Sequence, residues 1–174
     1  MKSAKINYLN FEIDKLTRSI ENAFTGDSFS TDITNLSRPD LRDITKRNGW
    51  LFDWKGEFNK SDREVYKLTI QGNPTIIQGL ISLRAETDHV YMPLIESAPF
   101  NRGSKKIYLG VPGNMVAYAC KFSFQKGFEG FVAFHSKTKL ISHYIKTLGA
   151  YHFGGHLMII DTYPAQALIN RYFK

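Results

Sequence analysis

Cysteine is nearly absent: Cys120 stands alone among 174 residues, so no internal disulfide can staple the fold. The chain therefore carries no mark of an oxidising compartment. No apolar run approaches the ~20 residues needed to span a bilayer. The opening MKSAKINYLNFEID lacks the apolar stretch of a secretory signal. These absences predict a soluble, cytoplasmic protein without a membrane partner. Repeats, low-complexity tracts and linkers rich in Pro, Gly or Ser are missing too, which predicts one domain. Metal-ligand spacing is also lacking. His152 and His156 are four apart, but Gly154-Gly155 between them opposes a helix that would align both rings, and His135 and His143 have no partners at such spacing. Cys120 falls in an apolar helical stretch and reads as a packed thiol, not a nucleophile.

Acidic residues are scarce in one half only. Residues 1–88 hold 13 Lys/Arg and 13 Asp/Glu, whereas residues 89–174 hold 10 Lys/Arg against Glu96, Glu129 and Asp161. The whole net charge of +7 therefore sits in the second half. Such a half can attract a phosphorylated cofactor or a nucleic acid, or simply keep a face solvated.

Periodicity supplies the elements. Leu16, Ile20 and Phe24 are spaced four apart and predict an amphipathic helix over 11–24. Ser37 as N-cap and Pro39 in the first turn predict a second helix. The aromatic stretch 49–54 suits a strand or tight loop entering the core. Val65 to Ile70, Thr75 to Leu83 and Asp88 to Glu96 read as three strands of an antiparallel meander, with Gln71-Gly-Asn-Pro74 as a turn. Pro93 demands an irregularity or an unpaired N–H within the third. Residues 113–126 read as a helix, 128–134 as a strand, 137–148 as a helix closed by Gly149, 151–161 as a strand pair or a bulged long strand, and 164–173 as a last helix. The order defines an α+β, or mixed α/β, domain around one mostly antiparallel sheet, flanked by helices.

From about Val65 to Lys174 this order and the local sequence resemble the GNAT (GCN5-related) N-acetyltransferase family. Ile77-Gln-Gly-Leu-Ile-Ser is similar to that family's third strand. Ile107-Tyr-Leu-Gly-Val-Pro-Gly-Asn-Met aligns with its acyl-CoA loop and the helix after it, and Phe131 to Phe134 with Lys137 to Ala150 resemble its second motif. The resemblance implies acetyl-CoA or another acyl-CoA, bound by Leu109, Gly110, Val111, Gly113, Asn114, Met115 and Lys137. Helix N-termini offer unpaired N–H groups to a pyrophosphate, and glycines let the backbone come close. It also implies N-terminal helices over 1–48 on the acceptor side and a sheet with its acyl-CoA core over 65–174. Trp54 and Glu57 would then line the acceptor groove. Glu96 is the expected general base and Tyr144 the expected proton donor to the departing thiolate. The chain departs from the family's loop at Ile107, where a polar residue is usual, and at Pro112, which removes one N–H donor.

The expected function is transfer of an acetyl group to an amine on a small molecule, a protein or an aminoacyl-tRNA, by a monomer or homodimer. The alternative is a catalytically lapsed module binding nucleic acid or a protein partner. Lys105, Lys106, Lys121, Lys126, Lys137, Lys139 and Lys146 are scattered and form no dense run. Binding to tRNA is therefore expected to be weak and lost by physiological salt, as a salt titration will show. Tight, salt-resistant binding would put the nucleic-acid reading first.

Overall fold

The computed structural model describes residues 5–174. An extended segment leads to β1 (Ile20–Asn22), β2 (Ser28–Phe29) and β3 (Thr31–Asn35). Two 3-10 turns, Pro39–Asp43 and Lys46–Asn48, precede the short helix α1 (Trp54–Phe58). The meander β4 (Glu64–Ile70), β5 (Asn73–Ala85) and β6 (Val90–Ser97) follows. Then come β7 (Tyr108–Leu109), α2 (Val111–Gln125), β8 (Val132–His135) and α3 (Ile141–Leu148). The chain ends with β9 (Tyr151–Gly154), β10 (Leu157–Ile160) and α4 (Thr162–Phe173). Seven strands form one sheet in the order β3-β4-β5-β6-β8-β10-β9, and β2-β1-β7 form a small second sheet. Every pairing in the large sheet is antiparallel except β6 with β8.

Strand alternation sends side chains to two cores. Ile81 and Leu83 of β5 join a large cluster with Met115, Val116, Phe134, Met158 and Ala165, under α2 and α4. Leu80, one residue before Ile81, points to the other face and joins Leu36, Ile44, Trp50, Trp54, Val65 and Leu94. Helix α2 is buried on almost all sides, as its apolar composition requires.

The irregularity expected at Pro93 is present. Leu94 pairs with Ser82, but Tyr91 pairs with Arg84, so β6 carries one extra residue between Tyr91 and Leu94. That bulge bends β6. Its parallel pairing with β8 stops after Val90↔Val132 and Tyr91↔Ala133, and the two strands part beyond.

The N-terminal helices are not formed. Residues 11–17 form no helix and 18–19 bend, Ile20 pairs with Phe29 in β1, and Phe24 is 78% exposed. A spacing of four is one helical turn but also two strand periods, and long-range pairing decided between them. Around Ser37 the helix shrinks to a 3-10 turn, because the Asp40 carboxylate accepts from both the backbone N–H and the hydroxyl of Ser37 and closes it. The sheet also begins earlier than residue 65, since β3 pairs with β4.

Trp54 and Glu57, expected to line an acceptor groove, are both buried. Asp53 caps α1 by accepting from the Gly56 N–H. Glu57 is 4% exposed, pairs with Arg63 at 2.7 Å and accepts from the Ser82 hydroxyl at 2.8 Å. Burial pushes its carboxyl up, but the Arg63 and Ser82 bonds outweigh this and hold it below its ordinary 4.5. Glu57→Ala, which leaves the Ser82 hydroxyl unpaired and Arg63 with only the exposed Asp62, is expected to cost about 2 kcal/mol in urea unfolding at neutral pH. The wild-type contribution is complete above about 4.5 and is lost as pH falls further, so the gap between the two proteins closes in acid.

Candidate active site

The parted strands leave a groove whose floor is α3 and whose mouth is the start of α2. Gly110 stands just before α2 with φ +86°, a left-handed turn that aims its N–H into the groove. The chain's own leading segment lies in this groove. The Asn7 amide donates to the Pro93 carbonyl at 3.1 Å, the carbonyl that the bulge frees from β8. The Leu9 N–H donates to the His135 carbonyl at 2.8 Å, and the Lys137 N–H donates back to Leu9 at 3.0 Å. Leu9 thus forms a one-residue parallel bridge with Ser136. The Tyr144 hydroxyl donates to the Phe11 carbonyl at 2.6 Å, and the Ile13 N–H donates to His143 Nε2 at 2.9 Å. At the mouth, the Gly110 N–H donates to Asp14 Oδ1 at 3.1 Å, and Lys106 Nζ meets Asp14 Oδ2 at 3.0 Å. Leu9 and Ile13 are buried, each contributing about 1.5–3 kcal/mol.

Most of the loop residues expected to hold a cofactor are turned to packing. Leu109 sits in β7 opposite Glu21. A Cβ on Gly110 would lie 1.9 Å from Thr17 Oγ1, and one on Gly113 would lie 1.9 Å from the Tyr172 hydroxyl. Val111, Asn114 and Met115 are fully buried, with the Asn114 amide donating to Thr31 Oγ1 at 3.1 Å. Gly110 alone of the set offers its N–H to an anion in the groove, and Lys137 contributes its backbone N–H while its side chain stays exposed.

Glu96 and Tyr144 are both in the neighbourhood but differ in freedom. Glu96 accepts from the Leu51 N–H at 2.7 Å, the Phe52 N–H at 3.3 Å and Trp54 Nε1 at 2.8 Å, with Arg102 at 3.5 Å. Arg102 also donates to the Gly49 carbonyl. Glu96 therefore ties the 49–54 loop to the end of β6, on the wall of a cavity of about 250 Å³ that Glu12, Asp14 and Lys106 share. Tyr144 is fully buried between Phe11 and Phe134, with ring centroids at 4.7 and 5.1 Å. Burial, with Glu12 nearby, pushes its phenol far above the usual range, so its proton stays on.

On the opposite face of the sheet lies a pair that sequence reasoning missed. The Tyr91 hydroxyl and His135 Nδ1 are 2.5 Å apart, and Arg84 lies 4.8 Å over the Tyr91 ring. Tyr8 stacks on His156 at 4.5 Å and stands edge-on to His135 at 6.1 Å. Arg84, Glu86, Asp88, Tyr91 and His135 line a cavity of about 490 Å³. Burial, with His156 beside it, lowers the His135 pKa below 6.5. The available signal was alternation: Met92 and Phe134 face the core, so Tyr91 and His135 must face away together. Cys120 is wholly buried, which pushes its thiol up and leaves it unreactive. His152 and His156 bond to backbone carbonyls, and no metal-holding group occurs among the described residues.

The strand order with a parallel, parting fourth and fifth strand of the large sheet is the GNAT fold, the fold of a class of N-acetyltransferases. No protein-family model matches the chain, and no curated protein matches it in sequence. Among solved structures it is similar to a chimera of the Vibrio cholerae spermidine N-acetyltransferase SpeG and hSSAT, at 15% identity and TM-score 0.56, covering 79% of this chain and 99% of that one. It is similar to AtaTR bound with AcCoA at 14% identity and TM-score 0.52, covering 80% and 98%. A GNAT-family acetyltransferase from Staphylococcus aureus is similar at 10% identity and TM-score 0.50, covering 76% and 99%.

The lowered pKa of His135 means that the unfolded chain takes its proton first as pH falls. Stability present above about 6.5 is therefore lost on going below it. His135→Gln is expected to flatten the dependence of the urea midpoint on pH between 7 and 5.

Proposed function

We propose that the chain is an acyl-CoA-dependent N-acyltransferase, using acetyl-CoA or a close relative and a cationic amine as acceptor. One observation carries the reading: the groove between β6 and β8 takes a thin, extended chain, with the buried Tyr144 hydroxyl aimed at its middle and an anion held at the start of α2. Those are the demands of an acyl-CoA. Gly110 and Lys106, which now meet the Asp14 carboxylate, suit a pyrophosphate. The backbone groups of Leu9's partners, the His135 carbonyl and the Lys137 N–H, suit the amides of a pantetheine arm. Bound acetyl-CoA supplies an acyl group already activated as a thioester.

The chain's own residues divide the proton work. Tyr144, held protonated by burial, keeps a proton at its hydroxyl for a departing thiolate. His135, held neutral at pH 7 and hydrogen-bonded to Tyr91, has the character of a base for the incoming ammonium. Glu96 is satisfied by four donors and reads as an anchor for the 49–54 loop rather than as that base. Glu86 and Asp88 at the cavity on the His135 face favour a positively charged acceptor. The lapsed, partner-binding reading is favoured by one feature, the groove's being filled by the chain itself.

Purified protein is expected to acetylate one or more members of an amine panel that includes spermidine, read by product mass. Tyr144→Phe retains the ring packing and should lower turnover about a hundredfold without weakening acetyl-CoA binding. Wild-type turnover in that variant would make Tyr144 a packing residue, and inactivity of the wild type on every amine without acetyl-CoA binding would favour the lapsed module.

A further inference from the structure

The segment in the groove is bound as a ligand would be. Its Asn7 side-chain amide meets the Pro93 carbonyl, its Leu9 backbone bonds to His135 and Lys137, its Phe11 carbonyl takes the Tyr144 hydroxyl, and its Asp14 carboxylate takes the Gly110 N–H and Lys106. Acyl-CoA and this segment cannot both use these groups. The segment is sparsely paired with the sheet. Among the described residues its strand pairing is the single Leu9–Ser136 bridge, whereas β1 just after it is paired on both edges, to β2 and to β7. Between them stands Ser19 with φ +61°, a left-handed conformation uncommon for a side-chain-bearing residue. Sparse pairing beside a strained residue is where a chain opens first.

We infer that residues 7–14 are a built-in competitor of acyl-CoA, an intrasteric segment that closes the groove and leaves it when the cofactor enters. The inference rests on the acyl-CoA reading of the groove. Asp14 is the anion that occupies the phosphate end, and Asn7 pins the other end to the bulge in β6. The protein is then off at low acyl-CoA, and its apparent affinity is the intrinsic affinity multiplied by the fraction of molecules in which the segment is unseated.

The full chain with free CoA as probe tests this by calorimetry and hydrogen exchange together. CoA is expected to strip protection from the Leu9 and Ile13 amides, which are bonded only when the segment is seated. Asp14→Asn removes the competing charge and is expected to tighten CoA binding about tenfold. Asn7→Ala lies at the far end of the groove from Gly110 and should tighten it severalfold too, a gain that no direct phosphate contact would explain. CoA binding with Leu9 and Ile13 still protected, and with both variants no tighter than wild type, overturns the competitor and leaves the acyl-CoA reading standing. No CoA binding to the wild type or to either variant, with the segment protected throughout, overturns both and makes the segment a permanent filling of the groove.

Discussion

Everything at the site depends on the extra residue in β6 at Pro93. Proline offers no N–H to a neighbouring strand, so continuous pairing with β8 through this position was never available. The bulge takes up the mismatch and turns the second half of β6 away, which ends the β6–β8 ladder after Tyr91 and Ala133. A parallel pair that parts in mid-sheet exposes backbone groups on both strands inside the molecule. Such groups must be satisfied by something.

What satisfies them here is another stretch of backbone. The leading segment uses main-chain bonds at Leu9 and a side-chain amide at Asn7 to complete the parted strands. It then presents a carbonyl to Tyr144 and a carboxylate to Gly110. A polypeptide and a pantetheine arm share the features that matter: both are thin, extended and studded with amide groups. In the proposed reading, selectivity between them lies at the ends, in the Lys106 cation and the Gly110 N–H, and not along the groove's length.

Burial sets opposite proton habits on the two sides of the sheet. It removes water from Tyr144, whose charged form is the deprotonated one, and so keeps that proton on. It removes water from His135, whose charged form is the protonated one, and so keeps that proton off. One physical cause yields a donor below the sheet and an acceptor above it. Glu96, although near the groove, is consumed by the Leu51 and Phe52 N–H groups and the Trp54 indole, which hold the 49–54 loop in place.

The sequence by itself determined the elements whose signal is local. The meander of β4 to β6, the irregularity at Pro93, helix α2, the Gly149 close of α3 and the β9–β10 hairpin all follow from periodicity and turn chemistry, and each stands in the structure. It also marked Tyr144 and the Gly110 turn. Tertiary structure decided the rest. A spacing of four in residues 11–24 is compatible with helix and with strand, and only partners far along the chain, at Phe29, His135 and His143, chose the extended form. Tyr91 and His135 lie 44 residues apart and meet only because two strands align. Whether a carboxylate is a base or an anchor depends likewise on donors that no local pattern reveals. Local propensity is written in neighbours along the chain, whereas a site is written in neighbours across it.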